Sequence, residues 1–383
     1  MDVLVVAGEA SGDQHAADVV AAFKARHPDA RFFGMGGPKL AAQGVELLFG
    51  SHEISVMGIV EVLPKVPRIW GVLRELERAA KERRPKVALL VDVPDFNLRL
   101  AARLKPLGVR VIYYVAPMAW AWRESRTRTI AERVDHLACI LPFEEKFFRD
   151  RGVNATYVGN PVVDQVPAVQ SQAHFRKALG LAHQGPMLAV LPGSRRSEIK
   201  RLGPVLADVA ARVVASRPGT AIAIPVAPGL PRDFVLEPFL ARGVSPLTVE
   251  GRAPEVVGAS DVALVASGTA TLEAGLMQRP LVAVYRLNGI SYAVGKLLVK
   301  IPFFSLVNLL SEARVIPELL QADFTAERVM AELEPLWAGP AREACLAGLE
   351  ALRAKLGPGG AAGRVAELLS LSLRSGERVG VRG

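Results

Sequence analysis

Cysteine is almost absent from this chain: Cys139 and Cys345 are the only two in 383 residues. The local pattern puts one in a strand and the other in a helix, so neither a disulfide framework nor a cysteine-rich metal site can be built from them. Long apolar runs are missing too, since no uncharged stretch approaches the roughly 20 residues that span a bilayer. The start, Asp2 to Ala7, has no basic segment before it and meets Glu9 almost at once, so it does not read as a signal peptide, and the cytosol is the expected location. No histidine pair has metal-ligand spacing and no Asp-x-Asp is present, so no metal is expected on a diphosphate. Gly289 to Gly295-Lys296 has five intervening residues and Leu297 after the lysine, which excludes a Walker A loop. Gly8-Glu9-Ala10-Ser11-Gly12 places its serine one position too late for a nucleophile elbow. Acidic residues are in deficit: 38 Asp and Glu against 47 Lys and Arg leave a formal charge of +9. The basic residues are scattered without interleaved aromatics, which argues against nucleic acid. Anionic lipid or a phosphate-bearing substrate is the expected counterpart, the competing reading being a basic enzyme with no acidic partner.

Half of the residues are hydrophobic and 22% are charged, enough for two or three domains with separate cores. The organisation is repeated strand, turn and helix. Val3 to Ala7, Arg31 to Phe33, Val87 to Val91, Val109 to Val115 and Leu137 to Leu141 form a first set of strands. After a linker-like stretch, Val158 to Asp164, a second set runs through Met187 to Leu191, Ala221 to Pro225, Leu247 to Glu250, Val262 to Val265 and Leu281 to Val284. The expected fold class is α/β, with two doubly wound Rossmann-like domains facing a central cleft. Their expected bounds are 1–163 and 164–345, followed by a C-terminal helix and flexible tail over 346–383. Gly34-Met35-Gly36-Gly37 lacks the dinucleotide fingerprint and reads as a turn where a ligand approaches backbone.

Two strand-to-helix turns carry the strongest signal. At Val265 to Ala274 an apolar strand breaks at Ser267-Gly268-Thr269 and reopens as a helix, whose unpaired N–H groups and partial positive charge suit a phosphate. Glu273 lies one turn further on, where a carboxylate can accept from a ribose diol. The second turn, Pro192-Gly193-Ser194-Arg195-Arg196, follows the strand ending at Leu191. Arg195 can fork two phosphate oxygens, and cations at a helix N-terminus are disfavoured unless an anion arrives. Ordinary capping by Ser194 or Ser197 is the alternative. Together these turns describe a nucleotide-diphosphate pocket at strand C-termini.

The first half supplies acid/base candidates. Asp92 closes a buried strand, where desolvation can raise its pKa and make it a general base. Asp95, after Pro94, serves either in catalysis or as a helix N-cap. Glu9 is a third carboxylate, at the first strand-to-helix turn, with Ser11 or Asp13 as the helix cap.

Six motifs in order then carry a resemblance: Gly8-Glu9-Ala10-Ser11-Gly12-Asp13, Val93-Pro94-Asp95-Phe96-Asn97, Ala119-Trp120-Ala121-Trp122-Arg123, Leu191-Pro192-Gly193-Ser194-Arg195, Ala266-Ser267-Gly268-Thr269-Ala270 and Ser305 to Leu310. Over residues 1 to about 335 the chain resembles the lipid-A-disaccharide synthase family. The resemblance implies a GT-B fold and an inverting transfer of 2,3-diacylglucosamine from UDP to C6 of 2,3-diacylglucosamine 1-phosphate, with no cofactor. It implies functional positions at Glu9, Asp92, Arg195, Glu273 and Asn308, and substrate contacts from Ser11, Asn97, Trp122 and Arg123. Ala116 and Met118 stand where the family often has serine, so neither is given a polar contact. Residues 54–70 mix apolar side chains with Lys65 and Arg68, and read either as core or as a surface dipping into lipid headgroups at the cytosolic face of the inner membrane. A homodimer is left open. The rivals are a UDP-N-acetylglucosamine 2-epimerase or another UDP-sugar enzyme on the same architecture, and a non-catalytic sugar-nucleotide sensor.

Overall fold

The computed structural model describes residues 1–53, 66–287 and 302–377. The chain divides into two units, Met1–Pro161 with Pro358–Gly383, and Val162–Gly357.

The first unit is built on a seven-stranded parallel sheet. Its strands are β1 (Asp2–Ala7), β2 (Arg31–Gly36), β3 (Glu46–Gly50), β4 (Val87–Val91), β5 (Arg110–Tyr114), β6 (His136–Cys139) and β7 (Ala155–Tyr157), in the order β3-β2-β1-β4-β5-β6-β7. The central strands are apolar without alternation because both faces are covered. Successive side chains enter opposite cores: Leu4, Val6 and Leu90 pack on one side, and Val3, Val5 and Val91 on the other.

That second core is completed from the far end of the chain. The helix Ala361–Glu377 packs on the helix Ala10–Lys24 and contributes Val365, Ala366 and Leu369. Arg364 Nε donates to the Val158 carbonyl at 2.7 Å. The expected separate piece over 346–383 is therefore corrected: the helix Pro340–Leu356 lies in the second unit and Ala361–Glu377 in the first. The apolar positions of the last helix find their partners on the opening helix, which no local pattern reveals.

The second unit carries six parallel strands: β8 (Met187–Leu191), β9 (Ala221–Val226), β10 (Leu247–Glu250), β11 (Val262–Ala266), β12 (Leu281–Tyr285) and β13 (Glu318–Leu320). Their order is β10-β9-β8-β11-β12-β13. In each sheet the chain builds outward on one side, then returns to start the other. The reversal falls between β1 and β4 in the first unit and between β8 and β11 in the second. Crevices at the carboxyl ends of such strand pairs are where open parallel sheets bind ligands.

Both cysteines are buried and unpaired. The Gly34 to Gly37 turn is corrected as well, because the group that approaches it is internal. The Asp13 carboxylate accepts from the N–H groups of Gly37, Lys39 and Leu40 at 2.7, 2.9 and 3.2 Å. A Cβ on Gly37 would lie 2.6 Å from Asp13 Oδ2. Asp13 thus caps the helix Pro38–Ala42, not its own.

Candidate active site

At the carboxyl ends of β8 and β11, with the loops after β9 and β10, lies a cavity of about 570 Å³. Gly193, Ser194 and Arg195 form one wall and Ser267, Gly268, Thr269 and Glu273 another, so all seven residues expected in a nucleotide-diphosphate pocket come together. Gly193 sits at φ 111°, a conformation that favours glycine. A Cβ there would also stand 2.5 Å from Glu198 Oε2.

Glu198 supplies what the sequence pattern hides. Its carboxylate accepts from Ser194 N at 2.9 Å, Arg195 N at 3.2 Å and the Arg195 guanidinium at 3.1 Å. Arg195 does meet an anion, but that anion is Glu198, three residues further along the chain in the same helix. Neither Ser194 nor Ser197 caps; Arg195 is the N-cap residue of the helix Arg196–Ser216 and Glu198 closes the turn. Arg196 turns away and stacks on Phe234, its Cζ 4.3 Å from the ring centre.

Across the cavity, Ser267 gives its backbone N–H to the Val284 carbonyl at 2.8 Å, so that donor is not available to a ligand. Gly268 is the N-cap of the helix Thr269–Leu276, and no side chain caps it. In the first turn Thr271 N donates to the Gly268 carbonyl at 3.1 Å, and the N–H groups ahead of it at the helix start suit an anion. Glu273 faces the cavity, and burial pushes its carboxyl above the usual range. Arg252, which sequence reasoning missed, also lines the cavity from the end of β10, with φ 52° and Glu255 3.2 Å from its Nε. Only a lone arginine after a short edge strand marks it in the sequence.

Asn308 is placed elsewhere. It is fully buried, its amide donates to the Ile316 carbonyl and Glu318, and its oxygen accepts from Val315 N and Ile316 N, all at 2.8 to 2.9 Å. Every hydrogen-bonding position is filled, so the expected substrate contact is corrected to a positioning role. Glu318, its partner, accepts from Phe304 N and Ser305 N, and the Phe304 carbonyl lies 3.4 Å from the Ser267 hydroxyl.

The crevice between β1 and β4 is acidic. Asp92 and Val93 both adopt positive φ, 53° and 43°, a conformation strongly disfavoured for a β-branched residue. The turn is held from beneath: the Asp92 carbonyl accepts from the Tyr113 hydroxyl at 2.5 Å and from Asn97 Nδ2 at 2.8 Å, and Asn97 also reaches the Val91 carbonyl at 3.1 Å. Burial pushes the Asp92 carboxyl up, the backbone N–H of Val93 opposes this, and the negative charge of Glu9 adds to the rise. Asn97 is fully buried under this turn, so its expected role as a substrate contact becomes that of a brace.

Glu9 is the N-cap residue of the helix Ala10–Lys24 and makes no side-chain cap bond, while Ser11 is exposed in its first turn. Asp95 is not a cap, since Val93 holds that position. Its side chain is 75% exposed and pairs with Arg126 at 2.6 Å, with Arg123 3.8 Å away. Arg123 stacks on the half-exposed Trp122 at 4.4 Å. Trp120, in the same short helix Ala119–Trp122, donates from Nε1 to Glu144 at 3.0 Å. Glu144 is fully buried, and desolvation pushes its carboxyl up to about 7.

Comparison with known proteins decides the family. The sequence profile described as Lipid-A-disaccharide synthetase matches residues 3–344. The curated "Lipid-A-disaccharide synthase" of Myxococcus xanthus is 59% identical over 366 residues, covering 95% of this chain and 96% of that one. This chain belongs to the lipid-A-disaccharide synthase family. Among solved structures, a putative UDP-N-acetylglucosamine 2-epimerase from Listeria monocytogenes aligns with a TM-score of 0.64 over 98% of this chain and 97% of its own, at 13% identity. The glycotransferase of kitacinnamycin aligns at 0.61 over 97% and 98%, at 16% identity. Those likenesses establish the GT-B fold, and at such identities they speak for fold alone. The epimerase likeness therefore does not compete with the synthase family match.

Proposed function

We infer that the chain is a lipid-A-disaccharide synthase, joining a sugar-nucleotide donor to a lipid acceptor. The observation that carries this is family membership across nearly the whole chain. The donor is read as UDP-2,3-diacylglucosamine and the acceptor as 2,3-diacylglucosamine 1-phosphate. In the proposed step the acceptor 6-hydroxyl oxygen bonds to the anomeric carbon, the bond from that carbon to UDP breaks, and the hydroxyl proton passes to Asp92. Attack from the face opposite UDP inverts the centre and gives the β-1,6 linkage. The raised pKa of Asp92 makes it a stronger base than an exposed aspartate. Arg195 and the N-terminus of the helix Thr269–Leu276 oppose the charge that grows on the departing diphosphate. Glu273, half-buried in the cavity, suits the ribose diol.

Peripheral association with a membrane surface belongs to the same proposal, because both substrates carry acyl chains and the chain is formally +9. Among the described residues no helix is long and apolar enough to cross a bilayer. Of the segment expected at headgroups, residues 54–65 lie outside the described residues. At its end, Arg68 pairs with Glu53 at 2.5 Å and Trp70 is 39% exposed on the helix Val66–Arg83.

The test is stoichiometry. Purified protein given both substrates should release UDP in amounts equal to the disaccharide formed. Epimerisation of plain UDP-N-acetylglucosamine, seen by proton NMR without disaccharide formation, would mean the reaction is wrong. Tight UDP binding with no turnover would make it a sensor.

A further inference from the structure

The face shared by the helices Pro94–Leu104 and Arg126–Arg133 holds a charge that the fold leaves unanswered. Asp95 and Arg99 from the first helix, Arg126 and Arg133 from the second, and Arg123 before it line a cavity of about 330 Å³. Four guanidinium groups meet one carboxylate there. Asp95 engages Arg126 directly and Arg123 at longer range. Nearby acids have partners of their own: Glu124 holds Arg151 at 2.6 Å, Glu132 holds Arg128 at 3.0 Å, and Glu77 holds Lys81 and Arg103 at 2.6 and 2.7 Å.

The cations are also placed, not merely present. Arg123 and Arg126 lie 4.4 and 5.8 Å from the Trp122 ring centre, and Arg99 lies 5.6 Å from that of Trp70. Aromatic faces orient a guanidinium without neutralising it. Arg133 donates to the Leu98 carbonyl at 3.2 Å. Arg126 opens its helix, at the positive end of the dipole, with a side chain only 12% exposed. A cation there is unfavourable without an anion, and Asp95 at 2.6 Å meets Arg126 alone at close range, leaving the charge of the other arginines in excess. At Arg195 the fold provides such an anion in Glu198; here, among the described residues, Asp95 is the only carboxylate lining the cavity, set against four arginines. Forked guanidinium donors around a small cavity match the tetrahedral oxygens of a phosphate.

We propose that this pocket is a phosphomonoester subsite that holds the phosphate of the acceptor sugar and so sets the acceptor hydroxyl against Asp92. The proposal rests on the transferase reading above and names the group that recognises its acceptor. Asp92 stands three positions before Asp95 in the chain. The Tyr113 hydroxyl, bonded to the Asp92 carbonyl, lies in the field of Asp92, Arg126 and Asp95 together. Base and pocket are therefore neighbours in one unit, as the acceptor requires, since its C1 and the C5 that carries the 6-hydroxymethyl group flank the same ring oxygen.

The test compares acceptors with and without the 1-phosphate, assayed in neutral detergent micelles. The wild type should prefer the phosphorylated acceptor in kcat/KM. In Arg126→Ala and Arg123→Ala that preference should collapse by roughly 10- to 100-fold, mainly through acceptor KM, with donor KM unchanged. Arg99→Ala, at an exposed position, should lose several-fold and keeps the test readable if Arg126→Ala fails to fold. Variants that slow both acceptors equally, leaving the preference intact, would overturn the subsite. So would variants that keep the preference but lose binding to phosphatidylglycerol vesicles, since the pocket would then hold a lipid headgroup. If the wild type transfers to neither acceptor, the transferase reading itself fails and the subsite falls with it.

Discussion

At the end of β8 the chain turns through Gly193, Ser194 and Arg195; at the end of β4 it turns through Asp92 and Val93. The two turns occupy equivalent places, each beside the strand pair where its sheet reverses direction. The β8 turn uses glycine at its left-handed position and gathers N–H donors, which Glu198 accepts. The β4 turn puts an aspartate and a valine into left-handed conformations, each costing on the order of 1–3 kcal/mol. Asn97 and Tyr113 hold it there from below. Topology therefore decides where a ligand can sit, while the turn residues decide the charge it meets. One crevice carries donors that suit an anion, the other a carboxylate that suits a proton.

The sharpest way to break this division of labour is to neutralise the strained turn. Asp92→Asn should lower kcat by roughly 10²- to 10⁴-fold with UDP affinity unchanged, as expected when a general base is lost. Its melting temperature should hold or rise. The folded state raises the Asp92 pKa, so ionisation is harder folded than unfolded, and above both values the carboxylate opposes folding. An amide removes that opposition. Asp95→Asn should lower kcat far less, because that side chain is exposed and paired with arginine. A dead Asp95→Asn beside an active Asp92→Asn would reverse the assignment, and full turnover in both would move the search to Glu9.

The donor crevice should respond in binding as well as rate. Arg195→Ala should weaken UDP by roughly 10- to 100-fold, since charge-assisted hydrogen bonds contribute about 1.5–3 kcal/mol. Glu198→Gln should act in the opposite sense on UDP. A diphosphate seeks the donors that Glu198 now holds, so removing the competing charge should tighten UDP several-fold, while the weakened cap costs about 1 kcal/mol of stability. Calorimetric titration with UDP and a melting curve would check both. Weaker UDP binding in Glu198→Gln would mean that Glu198 organises the turn for the ligand and does not compete with it.

How much of this was legible in the sequence depends on where the determining contacts lie. The central strands were readable because both faces bury apolar side chains, which leaves continuous runs such as Val87 to Val91. The strands without such a signal, β3, β7 and β13, all lie at sheet edges, where burial is partial. Turn residues such as Arg195 and Asp92 were visible because their chemistry conflicts with their local setting. Asn97 and Asn308 were named from motifs, yet both lie wholly inside. A motif marks that a polar residue matters without saying whether it faces a ligand or a backbone carbonyl. Contacts across long separations, such as Asp13 with Gly37 or the last helix with the first, leave no local trace.

The smallest expected effect concerns how far the two carboxylates of the acidic crevice act together. Burial is the main cause of the raised Asp92 pKa, and the charge of Glu9 is a further, smaller one. A base works only when deprotonated, so kcat/KM should be present above the raised pKa and lost as pH falls through it, with the acid limb above the ordinary aspartate range. Glu9→Gln removes the charge and keeps the size, so it should move that limb downward by a few tenths of a pH unit, as a weakly coupled, solvent-facing charge does. The plateau rate should change little if Glu9 acts only through its charge. A limb that stays fixed would show that the two carboxylates are uncoupled. A collapsed plateau with an unmoved limb would give Glu9 a direct part in holding the acceptor, and the acidic crevice would then contain two working carboxylates instead of one.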